Sequence, residues 1–434
     1  MYQLLLLRYL FVLLLMYDLA IKNNKGCLVM NTSKNSQPQN EIVLNLGNRT
    51  DVIKLKENEQ FQFDAKSKLK SKINNFIEQS SEDEDDSLFY SRAHNAITVC
   101  GGRGTGKSTF IRNTLSEIKT NEDKSWKKLL VLPVIDPTLI SSKEHVLVLI
   151  VSLIKKCVDN DKSKFSDKEY KEWLEALTEL AGGLCQIDGI GSSSTYGDEW
   201  EDKTYILETG LEKARQGLNL EKTLNEFFEK TTSILRTEAI VITFDDIDTQ
   251  FERGWPVLES VRKYLTSNKV IILISGDIEL YRVLVRRAVI ESLGEPILKY
   301  DRPSTRLHKT ESLTSWEDDA VISRIDRLEE QYLLKVLKPE NRIHMQSLNQ
   351  IKREHNKNFV AISAYGDKET TVNLDDFIRS IFSKVSGEIS DKRFSLIVDA
   401  LLEMPSRTIW QFIKVADQLI HSSNKSTQKF IINM

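Results

Sequence analysis

The chain has 434 residues, enough for a large core and two or three domains, and its 40% hydrophobic and 28% charged residues are the balance of an ordinary globular protein. Its 60 Lys and Arg against 63 Asp and Glu leave a net charge of -3, so no global basic field marks a nucleic-acid or acidic-membrane binder, and any such contact must be local. The four cysteines, Cys27, Cys100, Cys157 and Cys185, contain no C-x-x-C pair, which points to neither a zinc site nor a disulfide framework and fits a reducing, cytoplasmic setting.

At the N-terminus, Arg8 and Asp18 bracket an uncharged apolar run, Tyr9 to Tyr17, that falls short of the ~20 residues needed to span a bilayer. The preferred reading of residues 1–29 is an over-extended start with Met30 opening the protein, because the polar "MNTSKNSQPQN" resembles a frayed terminus; a single membrane anchor is the alternative. Residues 30–90 form an N-terminal segment of short mixed stretches, closing on the acidic run Glu82 to Asp86, which reads as a solvated loop. From 91 to 344 strand and helix patterns alternate: "AITVC", a glycine turn, "STFIRNTLSEI", "KLLVLPVID", "EHVLVLIVSLIKKC", then later "AIVITF" and "KVIILIS". That alternation predicts an α/β fold, a parallel sheet flanked by helices. Helical periodicity around the Gly/Ser loop "GIGSSSTYGDEWED" marks 159–238 as a helical insertion. Beyond about residue 279 the pattern is mostly amphipathic helix, with one further strand near "RIHMQSL" and a helical lid over 345–434.

The stretch "VCGGRGTGKSTFIRN" carries the chemistry. Gly101-x-x-x-x-Gly106-Lys107-Ser108 matches the P-loop pattern directly after a β-branched strand and before a helix. The backbone of Gly101, Gly102, Arg103, Gly104, Thr105 and Gly106 would close around the phosphates of ATP, with Lys107 on the β- and γ-phosphates as a point charge. Ser108 is placed for Mg²⁺, and Thr109 follows it in the helix start, where free N–H groups and the dipole favour an anion.

A second element for the metal is "AIVITFDDID". A buried strand does not end in two acids without a cation or a polar task, so Asp245 reads as the acid that holds Mg²⁺ through water and Asp246 as the residue that orients or activates the attacking water. In "VIILISGD" two readings stand. Ser275 or Asp277 reports on the γ-phosphate, or Asp277 simply caps the next helix. Likewise Arg407, after Pro405 and Ser406, either reaches the phosphates from the lid or is a surface arginine.

With these motifs in place, the chain resembles the AAA+ and STAND branch of P-loop ATPases. More narrowly, "FDDIDTQFERGWPVLESVRKYLTSNKVIILISGD" and "LEEQYLLKVLKPENRI" are similar to the ATPase subunits of bacterial RADAR anti-phage systems, over about residues 60 to 425. The resemblance implies an ATP hydrolase using ATP and Mg²⁺, working as a homo-oligomer in antiviral defence with a separate effector such as an adenosine deaminase. Asp246 departs from the Glu usual in AAA+ hydrolases, and the RADAR ATPases are longer, as if this chain were a portion or a truncated relative. Shared active sites would draw on an arginine from a neighbour, with Arg286, Arg287, Arg324 and Arg327 as candidates.

Two alternatives stay open: a nucleotide-gated scaffold with little hydrolysis, or a DNA-associated ATPase, for which "KYDRPSTRLHK" is the one local basic stretch. Six scattered histidines without an H-x-E and C-x-x-C pairing exclude an encoded zinc deaminase, so effector chemistry would lie elsewhere.

Overall fold

The computed structural model describes residues 41–45, 55, 59–79, 92–120, 126–141, 144–184, 219–300, 318–363, 370–386 and 390–421. In chain order its elements are β1 (Glu41–Asn45), α1 (Phe63–Gln79), β2 (Ala96–Cys100), α2 (Lys107–Thr120), β3 (Leu129–Val131), α3 (Val146–Asn160), α4 (Asp167–Leu184), α5 (Leu220–Leu235), β4 (Ala239–Phe244) and α6 (Phe251–Lys263). They continue with β5 (Val270–Gly276), α7 (Ile278–Tyr300), α8 (Asp318–Val336), β6 (Arg342–His344), α9 (Leu348–His355), β7 (Asn358–Ser363), β8 (Thr370–Asn373), α10 (Leu374–Ser386), α11 (Asp391–Leu402) and α12 (Ser406–His421). Two compact units result. The larger comprises Phe63–Arg103 and Lys107–Met345; the smaller takes the described residues up to Gln62, those from Gln346 onward, and Gly104–Gly106.

The larger unit is α/β. Its sheet has the order β3-β4-β5-β2-β6, with every pair parallel. The three central strands β2, β4 and β5 are uncharged and rich in aliphatic and β-branched residues because both their faces are covered. Side-chain alternation sorts them: Ile97, Val99, Val241, Ile271 and Leu273 pack with Leu69 and Ile73 of α1 and with Phe110 and Ile111 of α2. Ile240, Ile242, Phe244, Ile272 and Ile274 point the other way, into a core with α3, α5, α6, α7 and α8. Each such fully buried aliphatic side chain contributes about 1.5–3 kcal/mol.

This topology fixes where a ligand fits. The chain leaves β2 through α2 on one face toward β3 and leaves β5 through α7 on the other face toward β6, although β2 and β5 are neighbours. Connections that depart to opposite faces open a crevice beyond the carboxyl ends of those strands.

Of the expected helical insertion, α4 and α5 pack as a pair, with Trp173 donating through Nε1 to Thr231 Oγ1 at 3.0 Å. Its Gly/Ser loop lies outside the described residues, as do residues 1–40 with the apolar run and Met30, the acidic run Glu82 to Asp86, and residues 301–309 of "KYDRPSTRLHK". Among the described residues no helix is long and apolar enough to cross a membrane.

The helical lid expected over 345–434 carries four helices, α9 to α12, among the described residues, and two strands that were not expected. The smaller unit contains a sheet of order β1-β7-β8, in which β1 runs parallel to β7 and β7 antiparallel to β8. Ile42 and Leu44 of β1 pack with Phe377 and Ile378 of α10 and with Phe412 and Ile413 of α12. A strand as short as "NFVAIS" has weak periodicity of its own, and its parallel partner comes from the opposite end of the chain. The further strand expected near "RIHMQSL" is β6, which joins the main sheet beside β2.

Candidate functional site

β2 ends at Cys100, and the chain turns away with the Gly101 N–H donating to the Gly276 carbonyl of β5 at 3.2 Å. Gly104 and Gly106 adopt φ of 85° and 90°. This left-handed region carries a steric penalty for residues with a Cβ, which is why glycines stand there. A Cβ at Gly102 or Gly106 would meet nothing within 4 Å, so the loop borders open space. Lys107 opens α2, and its Nζ donates back to the carbonyls of Gly101 and Gly102 at 2.7 and 3.1 Å, which holds the ammonium over the loop. Arg103 is exposed, Thr105 half-buried, and Thr109 lies in the first turn of α2, where the leading N–H groups have no intrahelical acceptor.

The alternation that orders the core also aims the acids. Just past β4, Asp245 continues the alternation of Val241 and Thr243 onto the α2 face, and on β5 Ser275 follows Ile271 and Leu273 onto the same face. Asp245 is buried, with its N–H on the Ile135 carbonyl at 3.0 Å. Its Oδ1 accepts from the Ser108 hydroxyl at 3.2 Å and from the Ser275 hydroxyl in a short contact. Ser108, Asp245 and Ser275 therefore converge although they come from three separate segments.

Asp246 breaks the alternation. Its backbone is left-handed, at φ 57° and ψ 31°, and its N–H points at Ser275 Oγ at 3.4 Å. The side chain is exposed at its rim, yet loss of solvation, followed by repulsion from Asp245, Asp248 and Asp136, holds its carboxyl above the ordinary range; Lys107 opposes this. A carboxylate raised in this way is a better proton acceptor toward water.

For Asp277 the capping arrangement is the one observed, since its Oδ1 accepts from the Glu279 N–H at 3.0 Å in the first turn of α7. In the smaller unit, Arg407 is exposed, and its N–H donates to the Gly104 carbonyl at 2.9 Å; a Cβ on Gly104 would lie 3.3 Å from the Arg407 Cβ. Arg407 thus meets Gly104, of the same unit, through its backbone and stem. Among the expected finger arginines, Arg286 pairs with Asp326 at 2.8 Å and Arg287 with Glu291 at 2.7 Å, while Arg324 and Arg327 are exposed on α8.

Three residues at the site were not singled out by sequence reasoning. Asp248 is buried and its Oδ2 accepts the Asp277 N–H at 2.7 Å. Its signal was the third acid of "FDDID". Asp136 stands next in line with Asp245 after the Ile135–Phe244 bridge, its Oδ1 taking the Thr138 N–H and hydroxyl at 2.9 and 2.6 Å. Tyr281 left no trace in the sequence. It is fully buried and donates its hydroxyl to the Ser275 carbonyl at 2.6 Å.

The Tyr281 ring also explains Gly276, where a Cβ would fall 2.4 Å from the ring. Gly276→Ala is therefore expected to destabilise the fold by about 2–3 kcal/mol, read as a lowered midpoint in denaturant unfolding. An unchanged midpoint would mean that the ring moves aside freely.

Neither the protein-family models nor the curated proteins compared with it match this chain. The donor set suits a hard cation: one hydroxyl and one carboxylate oxygen 3.2 Å apart, at the start of α2, whose leading N–H groups have no intrahelical acceptor. Mg²⁺ prefers such oxygen ligands and retains several waters of its own.

Proposed function

We propose that the chain is a P-loop ATPase of the AAA+/STAND kind, binding ATP with Mg²⁺ on the 101–108 loop and hydrolysing it. The observation that carries the reading is the convergence of Ser108 at the start of α2 with Asp245 at the end of β4, at the crevice where β2 and β5 send their connections to opposite faces. In this reading the loop N–H groups and the α2 N-terminus bind the phosphates, and Lys107 exchanges its carbonyl partners for β- and γ-phosphate oxygens. Ser108 and Asp245 would hold Mg²⁺, which when bound would supply neutralising charge to the phosphates. Asp246 accepts a hydrogen bond from the attacking water and orients or deprotonates it. Ser275 keeps Asp245 directed at Ser108 by occupying the same oxygen.

The resemblance to RADAR ATPases extends the proposal to antiviral defence, with nucleotide state coupled to self-assembly and to a separate effector such as an adenosine deaminase. Shared sites predict that phosphate release per subunit rises with protein concentration. They also predict that an arginine variant which still binds ATP, among Arg286, Arg287, Arg324 and Arg327, poisons wild-type protein on mixing. Specific activity that stays flat with concentration, with no inhibition on mixing, would reject the shared site.

A second reading, a slow nucleotide-gated scaffold, is favoured by one residue. Asp246 is a methylene shorter than Glu, and a misplacement of this order costs on the order of 100-fold in rate. Phosphate release from MgATP, measured together with MgATP binding, separates the two: binding with negligible turnover selects the scaffold.

A further inference from the structure

We propose that the end of β5 is a two-point clamp that holds Asp246 in its left-handed backbone conformation, with Asp248 and Ser275 as positioning residues. The inference rests on the ATPase reading, in which Asp246 meets the attacking water.

At φ 57° Asp246 is left-handed, a conformation that aspartate adopts as a single residue at a modest cost, so the contacts around the turn decide that it is kept. Among the described residues nothing hydrogen-bonds the Asp246 carboxylate, so its direction is set by its backbone. That backbone is gripped on both sides from β5. Before the side chain, the Asp246 N–H is aimed at Ser275 Oγ, at 3.4 Å. After it, the buried Asp248 carboxylate takes the Asp277 N–H at 2.7 Å, a charge-assisted bond that ties down the far end of the turn.

The gripping strand end is itself fixed. Tyr281 donates to the Ser275 carbonyl, its ring lies against Gly276 too closely for any side chain there, and Asp277 is anchored as the cap of α7. From α6 the turn has a third wall: a Cβ on Gly254 would come within 2.4 Å of the Ile247 carbonyl oxygen. The residue between the two grips, Ile247, is buried and packs into the core. Little slack remains in the three residues that follow β4, so the aim of Asp246 depends on Asp248 even though Asp248 itself faces the Asp277 amide.

The test uses the full chain with Asp248→Ala and Asp248→Asn. MgATP affinity is measured by displacement of a fluorescent ATP analogue, kcat by phosphate release, and the Asp277 amide by hydrogen exchange. Asp248→Ala is expected to lower kcat by at least about tenfold, to leave affinity within about threefold, and to speed exchange at Asp277. Asp248→Asn keeps an acceptor oxygen and is expected to retain kcat within about threefold of wild type. Should Asp248→Ala fail to fold, Asp248→Glu, which keeps the charge but misplaces the acceptor, carries the same expected loss.

A folded Asp248→Ala with wild-type kcat overturns the clamp, as does Asp248→Asn as impaired as Asp248→Ala, or affinity that falls in step with kcat. Wild-type protein that binds no MgATP overturns the ATPase reading and the clamp with it. Wild-type hydrolysis beside an unaffected Asp248→Ala overturns the clamp alone.

Discussion

Lys107→Ala is expected to remove MgATP binding or turnover, with a loss of at least about 100-fold in kcat/KM. The lysine ammonium is held against the loop by two carbonyls at 2.7 and 3.1 Å, and those bonds are local enough that the fold should survive their loss. Neither contact reaches into the sheet. Lys107→Arg should fail nearly as badly, because a planar guanidinium cannot fill the place of a compact ammonium seated over two carbonyls. Isothermal titration with MgATP alongside a phosphate-release assay checks both variants. Unchanged affinity and turnover in Lys107→Ala would refute nucleotide binding at this loop.

Asp245 and Asp246 are expected to fail differently, since the structure gives them different neighbours. Asp245 is buried at the meeting of two hydroxyls, so Asp245→Ala leaves Ser108 and Ser275 without their shared acceptor, at a cost of about 1–3 kcal/mol, and should lower Mg²⁺-dependent turnover at least ~100-fold with a weakened response to added Mg²⁺. Asp246→Asn is the cleaner probe. Asparagine tolerates the left-handed backbone as well as aspartate does, so the turn is preserved while the charge is lost. ATP should then stay bound and uncleaved, with kcat reduced by about 100-fold and affinity nearly unchanged. Trapping of labelled ATP on the variant, followed over time, makes the measurement. If Asp246→Asn turns over normally, another acid serves the water, and Asp136, next in line with Asp245 and already oriented by Thr138, is the first to replace.

Local chemistry was legible along the chain. The uncharged runs "AITVC", "AIVITF" and "VIILISG", short and rich in β-branched residues, are strands of a sheet covered on both faces, and Gly104 and Gly106 occupy left-handed positions where a side chain would be strained. The helix that opens at Lys107 follows from the apolar spacing after the turn. These features depend on neighbours a few residues apart, and a linear reading contains those neighbours.

What the tertiary structure alone decided depends on residues brought together from afar. That β5 lies between β2 and β4, which places Ser275 on Asp245, is a matter of strand order, and no local pattern encodes it. The same holds for β1 pairing with β7 inside a region expected to be helical, for the left-handed turn at Asp246 and the Asp248 bond that ties it to Asp277, and for Tyr281 beneath Ser275. Residue type and spacing record which groups are available, whereas the packing of distant apolar faces decides which of them meet, because burial rewards contact without regard to separation along the chain.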